Sequence, residues 1–172
     1  MEETPIPEVT LYEEETFGLG KIRLLSPADT FPITPASRIS VEAIGSNRHQ
    51  ISGIGIDWGT GSGCLSIASG RIPTVDHVYG LDISEANVAT ARRNAELNDV
   101  SDKVDIMYSD SYVPFSTEDR ATLDSIKGRV SFVVANPPSS ENDDGFEYRR
   151  VILRGAKDFL KDGGVVFLSM SK

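Results

Sequence analysis

Short apolar runs and segments with helical periodicity alternate along the chain from residue 52 onward. The apolar runs predict strands over residues 52–57, 77–83, 103–110, 130–136 and from 165. Apolar residues three and four positions apart predict helices over 62–70, after Ser84, over 117–127 and over 146–161, the last ended by Asp162-Gly163-Gly164. Strands that are apolar throughout are buried on both faces. The alternation therefore predicts an α/β fold with a doubly wound, mainly parallel sheet of about five strands.

The residues before this alternation are less regular. Thr34 and Pro35 are typical of a helix start and Gly45 of the position after a helix end, which predicts a helix between them. Residues 9–18 and 21–26 could form a short edge hairpin. We therefore predict an acidic N-terminal segment, 1–33, with a possible short hairpin, followed by a single domain, 34–172.

Charge is distributed unevenly along the chain. The 172 residues have a net charge of −9, and residues 1–20 contain six acidic residues and no Lys or Arg. A net negative charge gives no long-range attraction to nucleic acid. It slightly favours a protein over a nucleic acid as the partner.

Composition also excludes several kinds of site. The single cysteine, Cys64, rules out an internal disulfide, and His49 and His77 are too far apart to show a metal-ligand spacing. No apolar run reaches the roughly 18 residues of a membrane span, and the acidic N-terminus is unlike a signal peptide. We therefore predict a cytoplasmic protein without a metal or a membrane partner.

A glycine-rich loop follows the first strand of the alternation. It contains Asp57, Gly59, Thr60, Gly61 and Gly63. Alternating glycines let the backbone approach a ligand closely, and the start of the next helix offers N–H groups to a carboxylate or phosphate. The loop has no lysine for a nucleotide P-loop, and Cys64 stands where a nicotinamide site needs glycine. A nicotinamide-dependent oxidoreductase is therefore disfavoured.

Three aspartates end the first three strands. Asp57 could orient the glycine loop or accept a hydrogen bond from an ammonium group. Asp82, with Ile83 beside it, follows Gly63 by nineteen residues, where a carboxylate can bind both hydroxyls of a ribose. Asp110 could accept from an adenine amino group with Ser111 or Tyr112 beside the ring, or could simply form a turn.

The fourth strand ends in Asn136-Pro137-Pro138-Ser139. Two prolines stiffen the backbone and have no N–H, so their carbonyls remain as acceptors. A polar side chain followed by such a turn can hold an amino group from two sides. The turn lies beside the glycine loop if the first and fourth strands are neighbours.

These ordered motifs resemble those of class I S-adenosylmethionine-dependent methyltransferases over about residues 30–172. More narrowly they resemble the Asn-Pro-Pro branch, which includes the HemK-like release-factor glutamine methyltransferases and enzymes that methylate amino groups of adenine or guanine. The resemblance implies a Rossmann-like fold, S-adenosyl-L-methionine as cofactor, and methyl transfer to a planar nitrogen.

The resemblance also implies roles for individual residues. Asn136 and Pro137 would be catalytic by accepting from the N–H of the methylated nitrogen, and Pro138 and Ser139 would complete the substrate site. The cofactor would be bound by Asp57, Gly59, Thr60, Gly61, Gly63, Asp82, Ile83, Asp110, Ser111 and Asn136.

The chain departs from the family pattern in two places. Ser139 stands where the family usually has an aromatic residue; Phe146 or Tyr148 could supply a ring, although both suit packing at a helix start better. The family usually has two further strands after the fifth, and this sequence does not include them. The fifth strand is therefore predicted to be an apolar edge strand that could pair with a partner or a second copy. These departures favour an alternative function, a non-catalytic cofactor-binding subunit of a methyltransferase complex.

Several other residues are predicted to have structural roles. Trp58 and Cys64 are interpreted as packing residues. His49 and His77 are expected at the end of the sheet opposite the site. The pairs Arg92-Arg93 and Arg149-Arg150 are interpreted as solvated helix faces.

Overall fold

A computed structural model of the chain describes residues 5–140 and 144–170. Its strands are β1 (Glu8–Leu11), β2 (Ile22–Leu25), β3 (Gly53–Trp58), β4 (Val75–Asp82), β5 (Val104–Asp110), β6 (Val113–Pro114), β7 (Val130–Ala135) and β8 (Leu160–Leu168). Its α-helices are α1 (Glu13–Thr16), α2 (Pro35–Ser46), α3 (Cys64–Gly70), α4 (Glu85–Leu97), α5 (Thr117–Ser125) and α6 (Glu147–Phe159). The predicted alternation of strands and helices is therefore present.

The main sheet has the strand order β6-β5-β4-β3-β7-β8. All of its neighbouring strands run parallel except the short β6, which pairs antiparallel with the end of β5. Trp58 at the end of β3 lies opposite Leu81 of β4 and Ala135 of β7. The residues that follow these strand ends therefore meet at one edge of the sheet.

Helices cover both faces of the sheet. On one face α2, α3 and α4 contribute Val41, Ile67 and Val88 to a buried apolar cluster. On the other face α5 and α6 contribute Leu123 and Ile152 to a second cluster. This arrangement confirms the predicted doubly wound α/β fold.

The centre of the sheet is packed closely around one glycine. A Cβ atom on Gly55 of β3 would lie 2.1 Å from the ring of Phe132, which is fully buried in the adjacent β7. The missing side chain at residue 55 makes room for the fully buried ring of Phe132. This close approach fixes β3 against β7.

The N-terminal hairpin is attached to the main domain through the side chains of Asn94 in α4 and of Asn98, the residue that follows this helix. Asn94 accepts from the backbone N–H of Leu25 at 2.7 Å and donates to its carbonyl at 3.2 Å. Asn98 pairs with the N–H and carbonyl of Arg23 in the same way, at 3.0 and 2.6 Å. The two amides satisfy the free edge of β2 as a third strand would, and its other edge pairs antiparallel with β1 in a separate two-stranded sheet.

The hairpin also contributes to the core. Leu11, Ile22 and Leu24 are fully buried in the cluster that contains Val41. Residues 1–4 of the predicted acidic segment lie outside the described residues. The domain boundary at residue 33 stays a prediction.

The C-terminal part differs in detail from the prediction. The last helix ends at Phe159, and β8 begins at Leu160, so Asp162-Gly163-Gly164 lies within the strand and not before it. The pairing of β7 with β8 shifts register between Val130 and Phe132, which accommodates the two glycines. None of the described helices is long and apolar enough to span a membrane.

Replacement of Asn94 by Ala is expected to destabilise the protein by about 3 kcal/mol. The buried amide also donates to the Ser62 carbonyl at 2.9 Å, so its loss leaves three backbone groups without a partner. Urea unfolding measures the free energy of unfolding, with the exposed Arg93→Ala on the same helix as the control. Equal stability of both variants would contradict the proposed attachment of the hairpin.

Candidate functional site

A cavity of about 330 Å³ lies at the carboxyl edge of the parallel strands. Its volume is within the range of small-molecule sites. Nine of the predicted site residues line it: Gly59, Gly61, Asp82, Ile83, Asp110, Ser111, Asn136, Pro137 and Pro138. Asp57, Thr60, Gly63 and Ser139 lie outside this wall. The fold therefore brings together residues that follow four different strand ends.

Two glycines of the loop have different structural roles. Gly59 has φ 68°, and a Cβ atom there would meet nothing within 4 Å, so the backbone conformation is what requires glycine. Gly63 has φ 86°, and a Cβ atom there would lie 3.1 Å from the Ala91 side chain of α4. The first glycine opens the loop to the cavity, and the second lets α3 and α4 pack closely.

The amides of the loop are bound largely by the protein itself. Thr60 N–H donates to the Leu81 carbonyl at 2.9 Å, and Gly61 N–H donates to Oδ2 of Asp82 at 2.8 Å. Gly63 N–H donates back to the Thr60 carbonyl at 2.9 Å. These three N–H groups of the loop are therefore occupied by acceptors of the protein itself.

Asp82 connects the loop to helix α4. Its Oδ1 accepts from Ser84 N–H at 2.9 Å and from the Asn87 amide at 3.0 Å, while Oδ2 holds Gly61. The residue is 8% exposed, and it lines the cavity. A carboxylate has about four acceptor positions, so one remains after these three bonds.

Asp57 lies beneath the loop and is fully buried. Its Oδ2 accepts from the hydroxyls of Thr60 at 2.7 Å and Ser66 at 2.8 Å, whereas Oδ1 has no hydrogen-bond partner among the described residues. Burial raises the pKa of this carboxyl from 3.8 to about 6, and the two hydroxyls oppose that rise. This geometry matches the loop-orienting alternative for Asp57, since a ligand in the cavity cannot reach the buried carboxylate.

The end of β5 forms the wall of the cavity beyond Asp82. Ile83, 63% exposed, and the exposed Asp110 both face this region. Ser111 has φ 53°, and its hydroxyl accepts from the indole N–H of Trp58 at 2.8 Å. Tyr112 instead packs behind the sheet, where its hydroxyl donates to the Ile152 carbonyl at 2.9 Å. Ser111 and Tyr112 were the two residues predicted to lie beside an adenine ring, and only Ser111 lines the cavity.

The Asn136-Pro137-Pro138 turn forms the opposite end of the wall. The Asn136 amide nitrogen approaches the Ser37 hydroxyl of α2 at 3.4 Å, a long hydrogen bond. Pro137 is buried and Pro138 exposed. Because the amide nitrogen is directed to Ser37, the amide oxygen of Asn136 is the atom left to accept from a ligand.

Two aromatic residues also line the cavity: Trp58, which was expected only to pack, and Tyr148, one of the two candidates for the missing ring. Trp58 and the 40%-exposed Tyr148 have ring centroids 6.1 Å apart at 45°. Tyr148 comes from the first turn of α6, which returns over the Asn-Pro-Pro turn. Phe146, by contrast, packs 5.5 Å from the guanidinium of Arg149. In the sequence, only the position of Trp58 next to Gly59 could have indicated that this ring lines the cavity.

Arg149 is buried, and its assignment to a solvated helix face is wrong. It is 2% exposed, and its guanidinium donates to backbone carbonyls, including those of Pro138 and Ser169. A pair of arginines near a helix start does not reveal which of them faces inward. His77 lies near the start of β4, at the end of the strand away from the cavity as expected, and 3.0 Å from Asp105. Across residues 5–140 and 144–170 there is no group of three or more potential metal ligands.

The family model for "Ribosomal protein L11 methyltransferase (PrmA)" matches residues 34–136. The release factor glutamine methyltransferase of Thermodesulfovibrio yellowstonii is 26% identical over 163 residues, which cover 80% of this chain and 54% of that protein. The ribosomal protein L11 methyltransferase of Bacillus licheniformis is 34% identical over 117 residues, 66% of this chain and 30% of that protein. The chain thus spans about half or less of these relatives.

The fold is also found in a solved structure. The ribosomal protein L11 methylase of Lactobacillus delbrueckii subsp. bulgaricus superposes with a TM-score of 0.62 at 21% identity, over 84% of this chain and 64% of that one. At this level of identity the likeness is one of fold. It confirms the predicted Rossmann-like architecture.

Replacement of Asp57 by Asn is expected to change how stability depends on pH. Since burial raises the pKa of Asp57 to about 6, the folded state holds this proton more tightly than the unfolded state. The wild type should lose about 3 kcal/mol of stability as pH rises from about 4 to about 6, and the variant should not. Urea unfolding across this range measures the difference. A difference that stays constant with pH would contradict the raised pKa.

Proposed function

The chain belongs to the ribosomal protein L11 methyltransferase (PrmA) family, and we propose that it transfers a methyl group to a planar nitrogen of a protein. Membership of this family confirms the predicted methyltransferase resemblance and the cofactor, S-adenosyl-L-methionine. What we propose here is the class of methyl acceptor, a planar nitrogen of a protein. The single observation that carries it is the Asn136-Pro137-Pro138 turn in the wall of the same cavity as the glycine loop.

The residues at one end of the cavity suit this cofactor. The space above Gly59 is open, and Asp82 retains an acceptor position that could bind a ribose hydroxyl. Asp110 and Ser111, with the apolar Ile83 nearby, could hold an adenine ring. When bound, S-adenosylmethionine supplies an electrophilic methyl group on a sulfonium centre.

The other end of the cavity suits a planar amide or amine. The lone pair of such a nitrogen is delocalised, which makes it a poor nucleophile. Hydrogen bonds from its N–H groups to the Asn136 amide oxygen and the Pro137 carbonyl would favour a pyramidal nitrogen. They would also stabilise the positive charge that develops there, without a strong base. The turn would in addition align the nitrogen with the methyl group.

Two observations favour a protein over a nucleic acid as acceptor. The two relatives described above are named as methyltransferases of proteins, one of a release factor glutamine and the other of ribosomal protein L11. The net charge of −9 gives no general attraction to a polynucleotide. The rings of Trp58 and Tyr148 beside the turn offer flat apolar surfaces to any planar acceptor and do not distinguish the two classes. A nucleobase amino group has the same planarity and is the second acceptor to test.

Replacement of Asp82 by Ala is expected to weaken S-adenosylmethionine binding by about 10- to 100-fold. The variant loses both an acceptor in the cavity and the bond that holds Gly61, each a charge-assisted interaction. Calorimetry measures the affinity, and emission of Trp58, the single tryptophan, reports occupancy of the cavity. The exposed Asp76→Ala at the other end of β4 is the matched control.

NAD serves as the ligand control in the same measurement. Tighter binding of NAD than of S-adenosylmethionine would overturn the assignment of the cavity. Unchanged affinity in Asp82→Ala would exclude this carboxylate from the cofactor site.

Replacement of Asn136 by Ala is expected to reduce methyl transfer by about 100- to 1,000-fold while cofactor affinity changes little. The amide oxygen would act mainly in the transition state, where charge develops on the nitrogen. Transfer of a tritiated methyl group is measured to a purified release factor, to ribosomal protein L11 and to a single-stranded oligonucleotide. Asn47→Ala at the end of α2 controls for general effects of losing an asparagine.

The outcomes of this assay separate the two candidate functions. Wild-type transfer rates in Asn136→Ala would remove that residue from the mechanism. Cofactor binding by the wild-type chain without transfer to any of the three acceptors would instead favour a cofactor-binding subunit that acts within a complex.

A further inference from the structure

The Asn136-Pro137-Pro138 turn presents a structural problem. Neither proline has an N–H group, so the turn cannot be fixed by amide donors of its own at these positions. A hydrogen bond to such a turn must come from a donor elsewhere that reaches its carbonyls. If the turn aligns the acceptor nitrogen, its rigidity decides how well it does so.

Arg149 supplies donors to these carbonyls. Its Nη1 lies 3.3 Å from the Pro138 carbonyl and 3.1 Å from that of Gly145. Its Nη2 lies 3.5 Å from the Pro137 carbonyl, at the limit of a hydrogen bond. One planar guanidinium thus spans both prolines of the turn.

The same side chain connects the turn to the neighbouring strand. The Arg149 Nε donates at 3.0 Å to the carbonyl of Ser169, which follows β8. The N–H of Ser169 in turn donates at 3.0 Å to the carbonyl of Ala135, the residue before Asn136. A closed set of bonds therefore links the end of β7, the end of β8 and the first turn of α6.

The burial of this cation is compensated by its surroundings. An unpaired buried charge would be strongly destabilising, whereas the guanidinium here has carbonyl acceptors on its three nitrogens and the ring of Phe146 at 5.5 Å. The ring and the carbonyls also hold the side chain in one orientation. The geometry is that of a fixed clamp.

We infer that Arg149 is a positioning residue that fixes the Asn136-Pro137-Pro138 turn against the end of β8 and the start of α6. This inference rests on the proposed function. Because Arg149 already approaches the Pro137 carbonyl, the amide oxygen of Asn136 accepts the larger share of the bond from the nitrogen that is methylated. Arg149 itself lies outside the cavity wall.

Arg149→Lys is the decisive variant, since lysine keeps the charge but has a single donor group in place of the planar fork. We expect kcat to fall about 100-fold, as a small misplacement of reacting groups produces. The KM for the acceptor and the affinity for S-adenosylmethionine should change less than about threefold, because Arg149 contacts neither. Arg154→Lys, exposed on the same helix, should behave as the wild type.

Hydrogen exchange provides a readout that does not depend on the acceptor. In Arg149→Lys the amide of Ser169, which donates to the Ala135 carbonyl, should exchange faster, while the amides of β3 and β4 stay as slow as in the wild type. Local loosening together with a kcat effect supports the clamp. An unchanged exchange rate overturns the clamp. So do equal losses of kcat and cofactor affinity that accompany global unfolding.

The two proposals can fail separately. Should the wild type methylate none of the release factor, ribosomal protein L11 and oligonucleotide probes, the proposed function fails, and the exchange result alone decides whether Arg149 holds the turn. Should the wild type be active and Arg149→Lys equally so, the clamp is wrong and the function stands.

Discussion

The parallel pairing of three central strands is the constraint on which the site depends. Trp58 lies level with both Leu81 and Ala135, so the chain leaves β3, β4 and β7 at the same height. Whatever residue follows each strand must then face the same cavity. A slip of one residue in either pairing would turn these side chains to the other face of the sheet. The close contact of Gly55 with Phe132 opposes such a slip, and the register therefore links core packing directly to the site.

The two aspartates nearest the glycine loop show how the protein shapes a binding surface before any ligand arrives. Asp57 is fully buried and holds the loop through Thr60 and helix α3 through Ser66, although burial disfavours its charge. Asp82 holds the loop from the side through the Gly61 amide. A loop held by the protein's own acceptors need not be ordered by the ligand, which reduces the entropy lost on binding.

Local sequence patterns predicted most of the fold and the part of the site that follows strand ends. Asp82 and Asn136 could be located because apolar runs mark where parallel strands stop, and those ends converge. The inward orientation of Arg149 was missed, and the sequence could not choose between packing and a place in the cavity wall for Tyr148, because both depend on how α6 returns over the turn, a contact between distant segments. The strand β6 is only Val113–Pro114, which is too short to show periodicity. The early start of β8 was missed because Gly163-Gly164 normally interrupts regular structure, and here a register shift accommodates it.

The side chain of Asn94 touches two parts of the protein that are far apart in sequence. It pairs with Leu25 at the edge of the hairpin and donates to the Ser62 carbonyl in the glycine loop. The hairpin and the loop therefore form one cooperative unit, in which opening of either exposes an acceptor or donor of the other. By thermodynamic linkage, a ligand that binds only the closed loop must also protect the hairpin from local unfolding. A segment outside the cavity, and outside the region shared with the family, thereby becomes part of what determines affinity.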